Sequence, residues 1–145
     1  MAAVAQVTKT GPRTYTPVEA IVGGQLVEAR TGGRIGVAAA GSVKVLGVAL
    51  TDAQPPELFT GAATLVNGRP VLTAAVLPQV VGVAYAGDEV KVSYSGTAAF
   101  GDKLVATATG KVAPAAATPD ARSIVGVCTE PAGVNAGATG LMRIA

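Results

Sequence analysis

Leu26-Val27-Glu28-Ala29-Arg30-Thr31-Gly32 is answered further along the chain by Leu104-Val105-Ala106-Thr107-Ala108-Thr109-Gly110, with six steps from Leu to Gly in each. Beyond each lies a second matched triplet, Leu46-Gly47-Val48 and Val125-Gly126-Val127. The interval from the first Leu to the middle Gly is 21 residues in one copy and 22 in the other. Self-similarity on that scale marks a duplicated supersecondary unit. Both copies consist of short runs of small and β-branched residues, and neither carries a group suited to chemistry. The duplication therefore points to a packing module and away from an enzyme.

Composition agrees. At 145 residues the chain fits one domain able to bury a core without disulfides or metals. Half of the residues are apolar but only 3% are aromatic, so Ala, Val and Gly must build a thin, closely packed core. A net charge of +2, with the charges scattered, is too weak for a nucleic-acid footprint. The start, Met1 to Lys9, lacks the basic-then-apolar layout of a secretory signal. The most apolar stretch, 74–86, is broken by Pro78, Gln79 and Gly82, short of the roughly 20 residues a spanning helix needs. No membrane and no nucleic acid are expected as partners. High hydropathy without a membrane segment predicts apolar surface that a protein partner covers.

Gly and Pro punctuate the chain too often for long helices. Strand-like runs lie between them at 14–22, 26–30, 34–38, 43–50, 71–76, 89–94, 103–107, 123–129 and 141–144. Val90-Lys91-Val92-Ser93-Tyr94 alternates as a half-buried strand should. Asn67-Gly68 supplies the two positive-φ positions of a type I′ turn and predicts a hairpin. The runs Ala38-Ala39-Ala40 and Ala115-Ala116-Ala117 read as loops or edges where small side chains let backbones approach.

The expected fold is all-β, a compact β-sandwich or barrel from two related halves, with an extended N-terminal arm and an inserted hairpin. The arm covers 1–13 and a single β domain covers 14–145. Within that domain the first half runs over about 14–53, an insertion opened by Pro55-Pro56 over 54–82, and the second half over 83–145.

Groups that could do chemistry have plainer readings. Gly24-Gln25, Gly87-Asp88 and Gly101-Asp102 each precede a strand; Gly takes a positive φ and the polar side chain caps the turn. Lys103 follows such a corner, as in lysine-modified carrier domains, but lacks their hairpin tip and flanking residues. Asp88, Glu89 and Asp102 read as turn acids, with no sugar platform and no EF-hand spacing beside them. Cys128 has no histidine anywhere in the chain to activate it and reads as a small buried hydrophobe. No catalytic residue, metal site or cofactor is expected.

A family likeness enters with the order of four motifs: Gly47-Val48-Ala49-Leu50-Thr51-Asp52-Ala53, Ala86-Gly87-Asp88-Glu89-Val90-Lys91-Val92, Phe100-Gly101-Asp102-Lys103-Leu104 with Gly110-Lys111-Val112, and Ile124-Val125-Gly126-Val127. The series resembles the small capsid decoration (cement, head-stabilising) proteins of tailed bacteriophages, over roughly residues 16–145. The 54–82 segment and the longer arm depart from that pattern. The resemblance implies a structural virion protein on the outer capsid surface, bound to the major capsid protein across subunit junctions and often trimeric. The alternatives are a tail, fibre or surface-layer module, or a lysine-modified carrier domain. Val7, Lys9, Arg13 and Tyr15 are the candidate capsid-contact residues of the arm. Asn67, Gly68 and Arg69 are candidates for an exposed or inter-protomer hairpin.

Overall fold

The computed structural model describes residues 11–58, 64–71 and 77–145. In chain order the strands are β1 (Arg13–Tyr15), β2 (Leu26–Ala29), β3 (Ile35–Val37), β4 (Val45–Ala49), β5 (Thr64–Val66), β6 (Arg69–Val71) and β7 (Val81–Ala84), followed by β8 (Glu89–Ser93), β9 (Lys103–Ala106), β10 (Val112–Pro114), β11 (Ile124–Cys128) and β12 (Thr139–Ile144). Short 3-10 turns at Thr31–Gly33 and Ala108–Gly110 connect β2 to β3 and β9 to β10. Two five-stranded antiparallel sheets result, ordered β1-β7-β4-β2-β3 and β8-β12-β11-β9-β10, with β5-β6 as a separate hairpin. The fold is all-β and fits a β-sandwich, not a closed barrel.

The two sheets are one design used twice. Numbered within its own unit, each sheet has strand order first-fifth-fourth-second-third. Even the isolated bridges repeat. Pro17 meets Ile35 and Tyr94 meets Val112 in parallel, so in each sheet the segment after the first strand turns over to bridge to the third. Ile21 meets Ala53 and Ala98 meets Val134 in antiparallel.

The ladders correct the alignment read from sequence by one residue. Val27 faces Gly47 and Val37, just as Leu104 faces Gly126 and Pro114, so Leu104 is the counterpart of Val27 and not of Leu26. Likewise Gly110 corresponds to Gly33, with φ of 68° and 71°. Leu26-Val27 and Gly32-Gly33 are each pairs of like residues, so the slip leaves no trace in the sequence. In a strand it matters, because one step exchanges the two faces.

Leu46-Gly47 and Val125-Gly126 repeat for a mechanical reason. Both ladders shift register there, leaving Leu46 and Val125 as the extra residues of matching β-bulges. The bulge bends the strand towards its outer neighbour. A Cβ on Gly47 would lie 1.8 Å from the Ala84 carbonyl oxygen, and one on Gly126 would lie 2.5 Å from that of Arg143.

Burial follows the duplication. Val27, Ile35, Ala49, Val81 and Val83 form the core of the first unit with Ile21 and Ala53 from its loops. The second unit packs Leu104, Val112, Cys128 and Met142 with Ala98 and Val134. The other face of the first sheet, carrying Leu26, Val48 and Ala84 with nearby Ala38, joins that second core. The first sheet is therefore buried on both faces. Tyr94 is the one fully buried aromatic ring among the described residues, its hydroxyl donating to the Leu141 carbonyl at 2.8 Å.

Two strands lie where the sequence reading placed none. β7 pairs with β1 and β4, so Val81–Ala84 belong to the first sheet, and the boundary drawn between residues 82 and 83 cuts through this strand. Gly82 disguises it. β10 ends on Pro114, which is tolerated because β10 is an edge strand.

Adding a methyl at either bulge glycine forces backbone apart. Gly47→Ala and Gly126→Ala should each lower stability by about 1–3 kcal/mol or more in urea titration. Gly82→Ala, whose Cβ would first meet Leu50 Cδ1 at 3.8 Å, should leave the midpoint within error or raise it.

Candidate functional site

Of the four arm candidates, Val7 and Lys9 lie outside the described residues. Arg13 and Tyr15 are not in a free arm: both belong to β1, paired with Val83 and Val81 of β7. The Arg13 guanidinium stands 5.3 Å from the centre of the Tyr15 ring, within reach of a cation–π contact. The Tyr15 hydroxyl is 2.9 Å from that of Tyr85. Burial, and then that hydrogen bond, push the Tyr85 phenol upward. The result is one cation and two phenols where β1 meets the end of β7.

Asn67 and Gly68 adopt the expected left-handed pair, with φ of 51° and 71°, and Val66 faces Arg69 across the turn. Asn67, Gly68 and Arg69 are exposed. This tip belongs to its own two-stranded sheet, apart from the one that holds β1.

The corner acids and Gln25 are committed to the backbone. Gln25 Oε1 accepts from the Val22 N–H at 2.8 Å, Asp88 Oδ2 from the Tyr85 N–H at 3.2 Å and Asp102 Oδ2 from the Ala99 N–H at 2.8 Å. The preceding glycines have φ of 88°, 92° and 89°, so one corner is built three times. Lys103 lies within the β9 ladder opposite Val127, not at a turn tip. Cys128 is free and fully buried. Burial pushes the neighbouring Tyr94 phenol upward, with the Cys128 side chain adding to the effect. Among the described residues, no three His, Cys, Asp or Glu side chains gather to hold a metal ion.

Arg122 and Asp120 pair at 2.9 Å before β11, and the other ion pairs among the described residues cluster around the first sheet. Arg34 grips Glu57 through both guanidinium nitrogens, at 2.6 and 2.9 Å, which ties the start of the insertion to the start of β3. Arg30 pairs with Glu19 at 3.5 Å and with buried Glu28 at 3.2 Å. Burial raises the Glu28 carboxyl. The Ser42 hydroxyl, the Ala39 N–H and the Arg30 and Lys44 charges outweigh that effect and hold it below its usual 4.5.

The sequence reading expected uncovered apolar surface but did not locate this strip of it. Val22, Leu50 and Val80 are each about half exposed. Gly23 directs its Cβ position at the Leu50 carbonyl, 3.2 Å away, and Leu50 N–H donates to the Gly82 carbonyl at 2.9 Å. The strip therefore gathers a corner, the end of β4 and the entry to β7. Pairing of β4 with β7 crosses the whole insertion, which is why local pattern could not reveal it.

The described residues thus offer an exposed hairpin tip at Asn67–Arg69 and exposed apolar side chains at Val22, Leu50 and Val80. In comparisons with known proteins, no family model and no curated protein matches the chain. A solved structure does: the N base of head fiber gp8.5 in bacteriophage phi29, with a TM-score of 0.58 and 17% sequence identity. The match covers 92% of each chain. At that identity the two share a fold.

Because the folded-state pKa of Glu28 is depressed, its contribution is present above the ordinary value of 4.5 and fades as pH falls through the lower folded one. Glu28→Gln should cost about 1–3 kcal/mol at pH 7. The gap to wild type should close on acidification below pH 4.5, as read by urea midpoints across a pH series.

Proposed function

We propose that this chain is a structural component of a tailed-phage virion, seated on the outer surface of the head. It binds the major capsid protein across subunit junctions and works as a homo-oligomer, a trimer by the family resemblance. The observation that carries this reading is the fold shared with a phage head fiber base over nearly the full length of both chains. The motif order of the decoration proteins leads to the same class of role.

The physics is that of linkage. A ligand that bridges two capsid subunits binds the closed shell better than separated subunits, and so shifts the equilibrium towards the closed shell. An oligomer multiplies the effect, since its second and third contacts form at high local concentration. Each contact needs on the order of 1,000 Å² to be specific. Neither a cofactor nor turnover enters this role, and nucleic acid and membrane are not its partners.

On this reading the segment before β1 is one head-contacting element, adding a strand to a neighbour's open edge. Arg13 and Tyr15 continue that element on β1, and the Val22, Leu50 and Val80 strip supplies apolar area. The hairpin tip at Asn67, Gly68 and Arg69 faces a neighbouring protomer or solvent. The likeness to a head fiber base favours one variant of this reading, in which the chain is a base that anchors a fibre to the head.

Co-sedimentation with undecorated heads and with isolated tails tests the proposal. The whole chain should pellet with heads and stay in solution with tails; the reverse would overturn it. Removing residues 2–12, which spares β1, should weaken head binding at least about tenfold. Unchanged affinity would remove the arm from the contact.

A further inference from the structure

The contact between the two units is one-sided. Leu26, Ala38, Val48 and Ala84 of the first unit are buried in the core shared with the second. At the matching ladder positions the second unit carries Lys103, Ala115, Val127 and Arg143. There Lys103 and Arg143 are exposed, and Ala115 and Val127 are half-buried.

The turns behave the same way. In the Ala108–Gly110 turn, a Cβ on Gly110 would stand 2.8 Å from the Leu26 carbonyl oxygen, 2.9 Å from Val37 Cγ1 and 3.1 Å from Gln25 Cβ. Gln25 Nε2 donates to the Thr109 carbonyl at 3.0 Å, and Gly41 N–H to the Ala106 carbonyl at 2.9 Å. The corresponding turn of the first unit, Thr31–Gly33, is exposed, and a Cβ on Gly32 or Gly33 would meet nothing within 4 Å. A twofold-like pairing would treat both turns alike. Burying Gly110 of one turn while its twin Gly33 stays exposed makes the contact head-to-tail, a geometry that leaves an open surface at each end.

The open acceptor is built like the filled one. Ala115 N–H donates to the Lys103 carbonyl at 2.8 Å, as Ala38 N–H does to the Leu26 carbonyl at 2.9 Å. Where Gln25, Leu26, Val37 and the 38–40 alanines receive the Ala108–Gly110 turn, the second unit has Asp102, Lys103, Pro114 and the 115–117 alanines. These line a cleft of about 290 Å³.

We infer that a second copy of this chain inserts its Thr31–Gly33 turn into the cleft at Asp102, Lys103, Pro114 and Ala115–Ala117. This repeats between molecules the contact that joins the two units within one. The copy-to-copy version is more polar, with Lys103 for Leu26, Arg143 for Ala84 and Asp102 for Gln25. That suits an interface between separable molecules better than a permanent core. The inference rests on the self-association part of the proposed function and is independent of the capsid.

The test uses the full chain and three variants at exposed positions: Ala116→Glu, Thr31→Cys and Ala116→Cys. Sedimentation equilibrium should show wild type self-associating and Ala116→Glu dissociating at least about tenfold more readily, with thermal unfolding unchanged. A short bis-maleimide should join Thr31→Cys to Ala116→Cys molecules in a mixture, and join either variant to itself far less. A wild type that stays monomeric up to its solubility limit would overturn the inference. So would an oligomer indifferent to Ala116→Glu, or cross-linking only between like positions. Loss of head binding by wild type, with the Thr31→Cys to Ala116→Cys cross-link still forming, would sink the capsid reading while leaving this interface in place.

Discussion

Burial of the outer face of the first sheet is the constraint on which the rest of the molecule depends. Leu26 and Val27 are neighbours, point to opposite faces and are both fully buried. A half-buried antiparallel sheet would leave one of those faces to water. Here Val27 serves the first unit's own core, and Leu26 enters the core that continues into the second. Without the second unit, the first would expose Leu26, Val48 and Ala84 together. The chain is therefore one cooperative body made of two copies of a fold too small to be comfortable alone.

The unusual composition follows from that packing. A five-stranded sheet with a bulge in its fourth strand brings backbones so close that Gly47 and Gly126 cannot carry a side chain. Gly110 is held in the same way where the second unit's turn meets Leu26 and Gln25. Small residues crowd these approaches, and Val, Ile and Leu fill the space between. Dispersion contacts at crystal-like density do the work that large rings do elsewhere. Tyr94 is the exception, and its buried hydroxyl needs the Leu141 carbonyl as a partner.

Much of this was legible in the sequence, and what was not has physical causes. The duplication, the all-β class, the Asn67-Gly68 turn and the three glycine corners could be read directly, because each depends on residues close together in the chain. The one-residue slip in the repeat was hidden by Leu26-Val27 and Gly32-Gly33, where either register puts like on like. β7 escaped because its pairing with β4 spans the insertion. Arg13 and Tyr15 were placed in an arm because nothing local announces that Val81 and Val83 lie opposite. The proposed partner surfaces were least legible. The open cleft at Pro114 to Ala117 becomes meaningful only once the filled twin beside Gln25 and Leu26 is seen.

The corner acids Asp88 and Asp102 and the Arg34–Glu57 and Arg30–Glu28 pairs are held within the chain. Val22, Leu50 and Val80 stay exposed, and on the proposed reading that apolar surface meets neighbours. The most direct measurement is an image reconstruction of a tailed-phage particle that carries this chain. The expected result is density for both five-stranded units on the outer head surface, lying over junctions between capsid subunits. Density confined to the tail, or a particle without any, would contradict a head-surface role.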